Sequence, residues 1–423
     1  MRLNVAYGTA GLAVDVPDDA VVVEPKEPAA LADEAGAVRQ SLRHPVSGPA
    51  LGEVVDRDGT VAVVFPDLTR PMPNTTVLPP LLAELELAGA GPDRVILLCA
   101  TGTHRQATPA EMEELVGPQI AGRYRIHDHA SDDGLHVRVG EVDGTPVLLD
   151  RHYVEAAVRI VTGFVEPHFF AGWSGGPKGV CPGLADTATI LEAHSPARLA
   201  DARATWMITS GNPVHEFVDA AAALCPPDLS VDVTIDGRRR LTGVFAGALP
   251  DSHRAACGFA ADTVTQPVAG HFDVVLTTNG GYPLDRNLYQ AVKGMAAAER
   301  VVAPGGIIVM AAACDDGLPD DGAFARILRD ASGPAELVRP RGPGQLDAWQ
   351  AQVLGRVLGR AEVWLFSEGL SDDAVRSAML SPVHDPSAAV ARALDRKGPG
   401  ARLCVLPHGP LTVATSSGST PAG

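Results

Sequence analysis

The hydrophobic pattern along the chain predicts short buried strands that alternate with helices. Six stretches are almost continuously apolar and end in polar or glycine-rich residues: 60–67, 94–102, 158–164, 272–280, 305–313 and 401–409. Continuous apolar runs are typical of strands that are covered on both faces, as in parallel sheets. Helical patterning occupies residues 75–90, 108–117 and 287–302. This order predicts an α/β protein with largely parallel sheets flanked by helices.

The chain is predicted to form two α/β domains, residues 1–265 and 266–423, with the active site in the cleft between them. Its 423 residues are sufficient for two domains. Residues 231–249, just before the boundary, predict a hairpin because two apolar stretches flank an Asp-Gly pair. The small, polar residues 415–423 predict a disordered tail, with a return of the extreme C-terminus to the first domain as the alternative.

Charge and composition exclude several classes of partner. The formal net charge of −17 disfavours binding to nucleic acid or to anionic membranes. The six cysteines are scattered and form no C-x-x-C pair, which argues against a zinc ribbon or a disulfide framework. The first residues lack the apolar core of a signal peptide, and no apolar run reaches membrane-spanning length. We therefore expect a cytoplasmic protein.

A glycine-rich block with one lysine, FFAGWSGGPKGVCPG at 169–183, is the most unusual stretch of the chain. It does not fit a nucleotide-binding P-loop, because Pro177 precedes Lys178 and Gly179 follows it in place of Ser or Thr. Gly175 and Gly176 would allow the backbone to approach a bulky group closely. The alternative is an ordinary turn with a solvated lysine.

Two further strand ends carry polar side chains. Asp67 and Arg70 follow the first apolar run, where the arginine could grip a carboxylate or phosphate. His104 lies on the loop after the second run, before a helix whose start at Thr108 and Glu111 has the pattern of a capping box. The plain alternatives are a local Asp–Arg turn contact and a structural histidine.

Other polar positions are less distinctive. His168 precedes the glycine-rich block, and His194 follows it in a predicted short helix that Pro196 ends. Tyr289 and Lys293 lie one helical turn apart, with Gln290 beside them. Either histidine could be structural, and the lysine could simply be solvated.

Two stretches suggest functions that we do not favour. Residues 127–136 contain three histidines, but Asp, Ser and Gly dominate the segment, and we predict a solvated loop rather than a metal site. Residues 301–312 resemble the late strand of methyltransferase-like or nucleotide-binding proteins. The early G-x-G-x-x-G signature of such folds is missing.

In order, type and spacing, the motifs together resemble the nickel-pincer lactate racemase family. The resemblance rests on the Asp-x-Thr-Arg-Pro turn at 67–71, the Ala-Thr-Gly-x-His-Arg loop at 100–105, the block at 167–183 and the Tyr-Gln-x-x-Lys run at 289–293. The spacings from His168 to Lys178 and on to His194 also fit. The resemblance covers nearly the whole chain.

This resemblance implies a cofactor and the residues that hold it. The cofactor would be nickel in a pyridinium dithio-type pincer mononucleotide, attached to Lys178 through a thioamide. His194 would be a nickel ligand, since imidazole and sulfur donors suit this metal. Asp67, Arg70, Gly175 and Gly176 would lie near the cofactor. Separate enzymes that synthesise the cofactor would be required partners.

The resemblance also implies a reaction, the inversion of the hydroxyl-bearing carbon of a small anionic 2-hydroxy acid such as lactate. His104 and His168 would be the acid and base, and hydride transfer to the cofactor would produce a transient keto acid. Tyr289, Gln290 and Lys293, with Arg70, would bind the substrate. A larger acid (malate, an aromatic hydroxy acid or a sugar acid) and a non-catalytic pincer-binding role are the alternatives. Both Trp349 and Trp364 are candidates for a tryptophan that lines the site.

Overall fold

The computed structural model describes residues 1–26, 28–55, 58–319, 322–339 and 345–416. The chain forms two compact units, which we call unit I and unit II. Unit I comprises Glu27–Ala193 and Arg203–Thr263, and unit II comprises Met1–Lys26, His194–Ala202 and Val264–Gly423. The units are thus discontinuous along the chain, whereas two continuous stretches were predicted. The boundary at 265/266 stays a prediction.

The strands are numbered in chain order. They are β1 Arg2–Val5, β2 Leu12–Asp15, β3 Val21–Val22, β4 Val61–Pro66, β5 Val95–Ala100, β6 Arg125–Asp128, β7 His136–Val142, β8 Thr145–Asp150, β9 Val158–Phe164, β10 Pro167–His168, β11 Gly172–Trp173, β12 Leu229–Ile235, β13 Leu241–Gly247, β14 Thr265–Val268, β15 Phe272–Thr278, β16 Val302–Ala311, β17 Ala361–Phe366, β18 Ser381–Val383, β19 Leu403–Leu406 and β20 Val413–Ser416.

The α-helices are numbered in the same way, and the 3-10 helices span Gly176–Gly179 and Gly409–Leu411. The α-helices are α1 Glu34–Arg43, α2 Leu51–Val54, α3 Asn74–Leu87, α4 Pro109–Val116, α5 Pro118–Ala121, α6 Arg151–Val154, α7 Thr187–Ala193, α8 Pro196–Leu199, α9 Pro213–Ala223, α10 Asp251–Val264, α11 Leu288–Glu299, α12 Phe324–Asp330, α13 Pro334–Leu337, α14 Ala348–Arg360, α15 Asp372–Ser377 and α16 Pro386–Lys397.

Unit I is built on a six-stranded sheet of order β13-β12-β9-β4-β5-β6, parallel except for the β12–β13 hairpin. Alternate residues of its strand β4 pack into two different cores. Val63 and Phe65 pack with helices α1 and α3, whereas Ala62 and Val64 pack with helices α7 and α9. Because side chains alternate across a strand, covering both faces requires a continuous apolar run.

Unit II is built on a parallel sheet of order β18-β17-β16-β15-β19-β3. Val274 and Leu276 of β15 pack with helix α16. Helices α11 and α14 contact the same sheet. A Cβ at Gly294 of α11 would lie 2.1 Å from the Thr278 carbonyl oxygen, so this glycine allows the helix to lie close against β15. The N-terminal strand β3 joins the sheet edge through β19, which explains why Met1–Lys26 belongs to this unit.

Most of the predicted elements are confirmed. The six apolar runs form β4, β5, β9, β15, β16 and β19, the three helical patterns form α3, α4 and α11, and residues 229–247 form the predicted hairpin. The tail prediction is wrong at its start, because Thr415 and Ser416 pair with β14, and residues 417–423 lie outside the described part. Among the described residues we find no helix that combines the length and apolar character needed to span a bilayer.

Candidate active site

A carboxylate–histidine pair joins two neighbouring strand ends of unit I. Asp67, just after β4, is buried, and its Oδ2 lies 2.9 Å from Nδ1 of His104, on the loop after β5. The Thr69 hydroxyl donates to the other carboxylate oxygen at 2.8 Å. Burial acts to raise the pKa of Asp67, but the hydrogen bond and charge of His104, the charge of Arg70 and the Thr69 hydroxyl together hold it below its ordinary value.

The ionised state of Asp67 determines the proton position on His104. A carboxylate only accepts hydrogen bonds, so Nδ1 of His104 carries the proton that it donates to Asp67. In the neutral ring, the lone pair is then on Nε2. The His104 side chain is 45% exposed, so the protein does not enclose the ring. His104 is thus arranged as a base oriented by a carboxylate.

The loop that carries His104 is anchored to the neighbouring strand β6. The Thr101 hydroxyl and the Ala107 N–H donate to the two carboxylate oxygens of Asp128, at 2.5 and 2.6 Å. Helix α4 then begins with the predicted capping box, in which Thr108 accepts from the Glu111 N–H and Glu111 accepts from the Thr108 N–H. These contacts restrict the loop on both sides of His104.

His168 is held in the opposite tautomer. Its Nδ1 accepts the backbone N–H of Ala171 at 3.2 Å, so the neutral ring carries its proton on Nε2. The ring stacks on Phe169, with 4.9 Å between centroids, and meets Phe170 edge-on at 4.5 Å. In the neutral state, His104 therefore presents a lone pair on Nε2, and His168 presents an N–H there.

The lysine turn lies directly on a buried polar network of unit I. Asp232 Oδ1 accepts the N–H of Gly176 at 2.7 Å, and His253 Nε2 donates to the Ser174 carbonyl at 2.8 Å. Gly176 has φ +50°, and a Cβ there would lie 2.5 Å from the His253 ring, so no other residue fits without displacement. The Lys178 Nζ lies 5.9 Å from the centroid of the Phe170 ring. The turn thus holds the lysine beside the His168 aromatic cluster.

Asp232 and His253 were missed by the sequence reasoning. Burial raises the pKa of Asp232, and the charge of His253 and the hydrogen bonds from Gly176 and Ser230 only partly oppose this effect. The sequence signal was weak, because apolar and polar residues alternate along Leu229–Ile235, and Asp232 occupies one of the polar positions, as it would in a half-exposed strand. A carboxyl group inside a buried strand requires dedicated partners, which indicates a local structural or functional task.

In unit II, His194 lies beside an aromatic pair. It follows helix α7, which ends at Ala193, so the prediction that His194 itself is helical is wrong. The next helix, α8, begins with Pro196 at its first position, where proline is favoured. The His194 ring lies 4.8 Å from that of Trp349, whose Nε1 donates to the Tyr289 hydroxyl at 2.9 Å.

These contacts distinguish the two candidate tryptophans. Trp349 connects His194 to Tyr289, whereas Trp364 packs in the core beside α16 and under the guanidinium of Arg392. Gln290 and Lys293 are half-buried and lie on α11, the helix that also carries Tyr289. Their roles in binding a substrate stay predictions.

The histidine-rich segment 127–136 is not the solvated loop that the sequence suggested. His127 lies in strand β6, His129 is fully buried, and His136 begins strand β7. The polar residues that suggested a loop are instead confined to the turn between the strands, around Asp132 and Asp133. Tertiary burial overrode the local composition, because Asp150 provides a partner for His127 and His129.

The fold and these residues define a two-domain α/β protein with a carboxylate-oriented histidine and a lysine held in a glycine-rich turn. Comparison with known proteins makes the class specific. The family model of the lactate racemase N-terminal domain matches residues 7–206, and that of the C-terminal domain matches residues 268–414.

Individual relatives support the same assignment over nearly the whole chain. The lactate racemase of Thermoanaerobacterium thermosaccharolyticum is 30% identical over 419 residues, covering 96% of this chain and 98% of that protein. The lactate racemase of Lactiplantibacillus plantarum is 33% identical over 384 residues, covering 89% of this chain and 90% of the relative. The chain therefore belongs to the lactate racemase family.

Solved structures agree with the fold described above. The structure of the T. thermosaccharolyticum lactate racemase apoprotein matches with a TM-score of 0.92 and 29% identity, covering 98% of this chain and all of the other. A protein from Thermotoga maritima matches with a TM-score of 0.68 and 18% identity, over 90% of this chain and 98% of that one, which shows the fold alone.

Proposed function

We propose that this protein is an isomerase, a nickel-pincer-dependent racemase or epimerase of small anionic 2-hydroxy acids, with lactate as the first substrate to test. The observation that carries the proposal is the Asp67–His104 pair, held on an anchored loop in a member of the lactate racemase family. A carboxylate that orients one imidazole nitrogen and leaves the other basic is suited to moving a hydroxyl proton.

The residues of this chain fit the proposed cofactor by the chemistry of their donors. Lys178 offers a primary amine for a thioamide bond, on a turn fixed by Asp232 and His253. His194 offers an imidazole, a donor that suits nickel alongside sulfur ligands. When bound, the pincer group would supply an acceptor for the hydride on the substrate C2. The enzymes that build the group are the partners this proposal requires.

The two histidines account for the proton chemistry at the substrate hydroxyl. Nε2 of His104 takes the proton, and the Asp67 carboxylate stabilises the imidazolium that results. His168, with its proton on Nε2, donates a hydrogen bond to a substrate oxygen. A racemase must serve both enantiomers, and two groups that exchange acid and base roles meet this requirement.

Cationic and polar side chains would bind the substrate carboxylate. We assign this task to Arg70, Gln290 and Lys293, with Tyr289 held in place by Trp349. A local group of cations is needed because the chain as a whole carries a net charge of −17, which repels an anionic acid. The charge of Arg70 also acts on Asp67 and helps to lower the pKa of its carboxyl group.

The test is intact-protein mass and chiral product analysis on protein co-produced with the cofactor-making enzymes. We expect an adduct on the Lys178 peptide, its loss in Lys178→Ala, and its retention in Lys397→Ala. Lys397 is a half-buried lysine of unit II that contacts the Gly305 carbonyl. Loaded protein is then given pure enantiomers of lactate, malate, an aromatic hydroxy acid and a sugar acid. An adduct without turnover of any of them would support the non-catalytic pincer-binding role. No adduct beside a loaded relative would contradict the proposal.

A further inference from the structure

One cluster of metal-ligating side chains consists of residues that the proposed reaction does not use. His127 is in strand β6, Asp150 ends strand β8, and His152 is the second residue of helix α6. Asp150 is also the N-cap of α6, and its Oδ1 accepts the His152 N–H at 2.8 Å. The carboxylate is therefore fixed by the junction between a strand and a helix.

The ligand atoms are nearly as close together as they would be around one ion. Nε2 of His127 lies 2.9 Å from Asp150 Oδ2, and Nδ1 of His152 lies 3.2 Å from Asp150 Oδ1. All three ligand atoms lie within 4.8 Å of one another. In a tetrahedral site with metal–ligand bonds of 2.0–2.2 Å, ligand atoms are about 3.3–3.6 Å apart. Small side-chain adjustments would therefore be sufficient to bind an ion.

Burial and outer contacts also suit a metal site. The Asp150 side chain is 1% exposed, whereas those of His127 and His152 are 19% and 36% exposed. The carboxylate is therefore buried, and an ion could reach the cluster past the two histidines. His129 approaches Asp150 Oδ2 at 3.4 Å and donates its Nε2 proton to the Ala185 carbonyl. Partners of this kind orient ligating groups from outside the coordination shell.

We propose that His127, Asp150 and His152 bind a divalent transition metal ion, of the Zn²⁺ or Ni²⁺ class, independently of the pincer cofactor. Two imidazoles and one carboxylate with an accessible side are a donor set that these ions accept, with water completing the shell. One consequence is that nickel-loaded preparations of this protein would contain more than one metal ion per chain.

The experiment uses the full-length chain produced without the cofactor-making enzymes and stripped with a chelator. Co²⁺ is titrated as a spectroscopic probe of imidazole and carboxylate ligation, and Zn²⁺ is then added in competition. We expect one Co²⁺ per chain, displaced by Zn²⁺. His152→Ala should weaken binding by about 100-fold or more, since losing an outer partner alone costs 10–100-fold. His152 is partly exposed, so this variant should fold.

His384→Ala is the matched control, because His384 is an exposed histidine that also lies beside an aspartate, 3.5 Å from Asp372. It should bind Co²⁺ like the unmodified chain. Zn²⁺ at about 100 times its Kd should raise Tm by roughly 5 °C in the unmodified chain and in His384→Ala, but not in His152→Ala. Equal Co²⁺ uptake by all three proteins, or no uptake by the unmodified chain, would overturn the proposal and leave the cluster as a hydrogen-bonded support.

Discussion

Replacing Asp67 by Asn is the most direct test of the proposed proton chemistry. The substitution preserves shape but removes the charge that faces His104 across 2.9 Å. Hydrogen bonds to charged groups contribute about 1.5–3 kcal/mol, which corresponds to a decrease of about 10- to 150-fold in kcat/KM. An amide can also donate to Nδ1 and so favour the wrong tautomer of His104, an effect that lowers activity further.

The assay is chiral product analysis on the loaded enzyme, with the Lys178 adduct quantified by mass. Because racemisation has an equilibrium constant of one, kcat/KM must decrease equally from both enantiomers, which provides an internal check. Asp372→Asn is the control, since Asp372 lies beside His384 at 3.5 Å but is remote from the proposed chemistry in sequence and partly exposed. Full activity of Asp67→Asn would refute the role of the pair, and loss of the adduct would move Asp67 to cofactor binding.

The pH dependence of the free energy of unfolding is a second test of the Asp67–His104 pair. The folded-state pKa of Asp67 is lowered, so its ionised form stabilises the fold. This contribution is present above the unfolded pKa of about 3.9 and is lost as the pH falls through the folded pKa. The difference in unfolding free energy between the unmodified chain and Asp67→Asn should therefore shrink on acidification. A difference that is independent of pH would contradict the assignment.

Three further predictions concern the lysine turn and its surroundings. His168→Gln should retain the adduct but lose about 10²- to 10⁴-fold in turnover, and an unchanged kcat would exclude it from proton transfer. Gly176→Ala should lower the free energy of unfolding, measured by chemical denaturation, by about 1–3 kcal/mol, because Gly176 has a φ of +50° and the added Cβ would clash with His253. Gly134→Ala is the control and should lower it less, because Gly134 also has a positive φ but nothing lies within 4 Å of the added Cβ. The free energy of unfolding of Asp232→Asn should rise relative to that of the unmodified chain as the pH rises above about 4. The reason is that the folded pKa of Asp232 is raised, so its ionised form is disfavoured in the folded state. A relative decrease over that range would show that the charge is required.

Much of the fold could be predicted from the sequence because the forces involved act over short distances along the chain. The continuous apolar runs of β4, β5 and β15 already indicate strands covered on both faces. The capping box at Thr108 and Glu111 marks the start of α4 within four residues of sequence. The discontinuous composition of unit II could not be read in this way, because the pairing of β3 with β19 joins residues that are almost the whole chain apart.

The sequence alone determined the α/β class, the strand ends that carry polar groups, and the motifs of the family. Only the tertiary structure decided the protonation geometry, since His104 is oriented by Asp67 and His168 by the N–H of Ala171. It also brought Asp232 into contact with the lysine turn, and it brought the histidine-rich segment into contact with Asp150. The physical reason is that periodicity records which face of an element is buried, whereas a hydrogen-bond partner or a pKa depends on groups that meet only when the chain has folded.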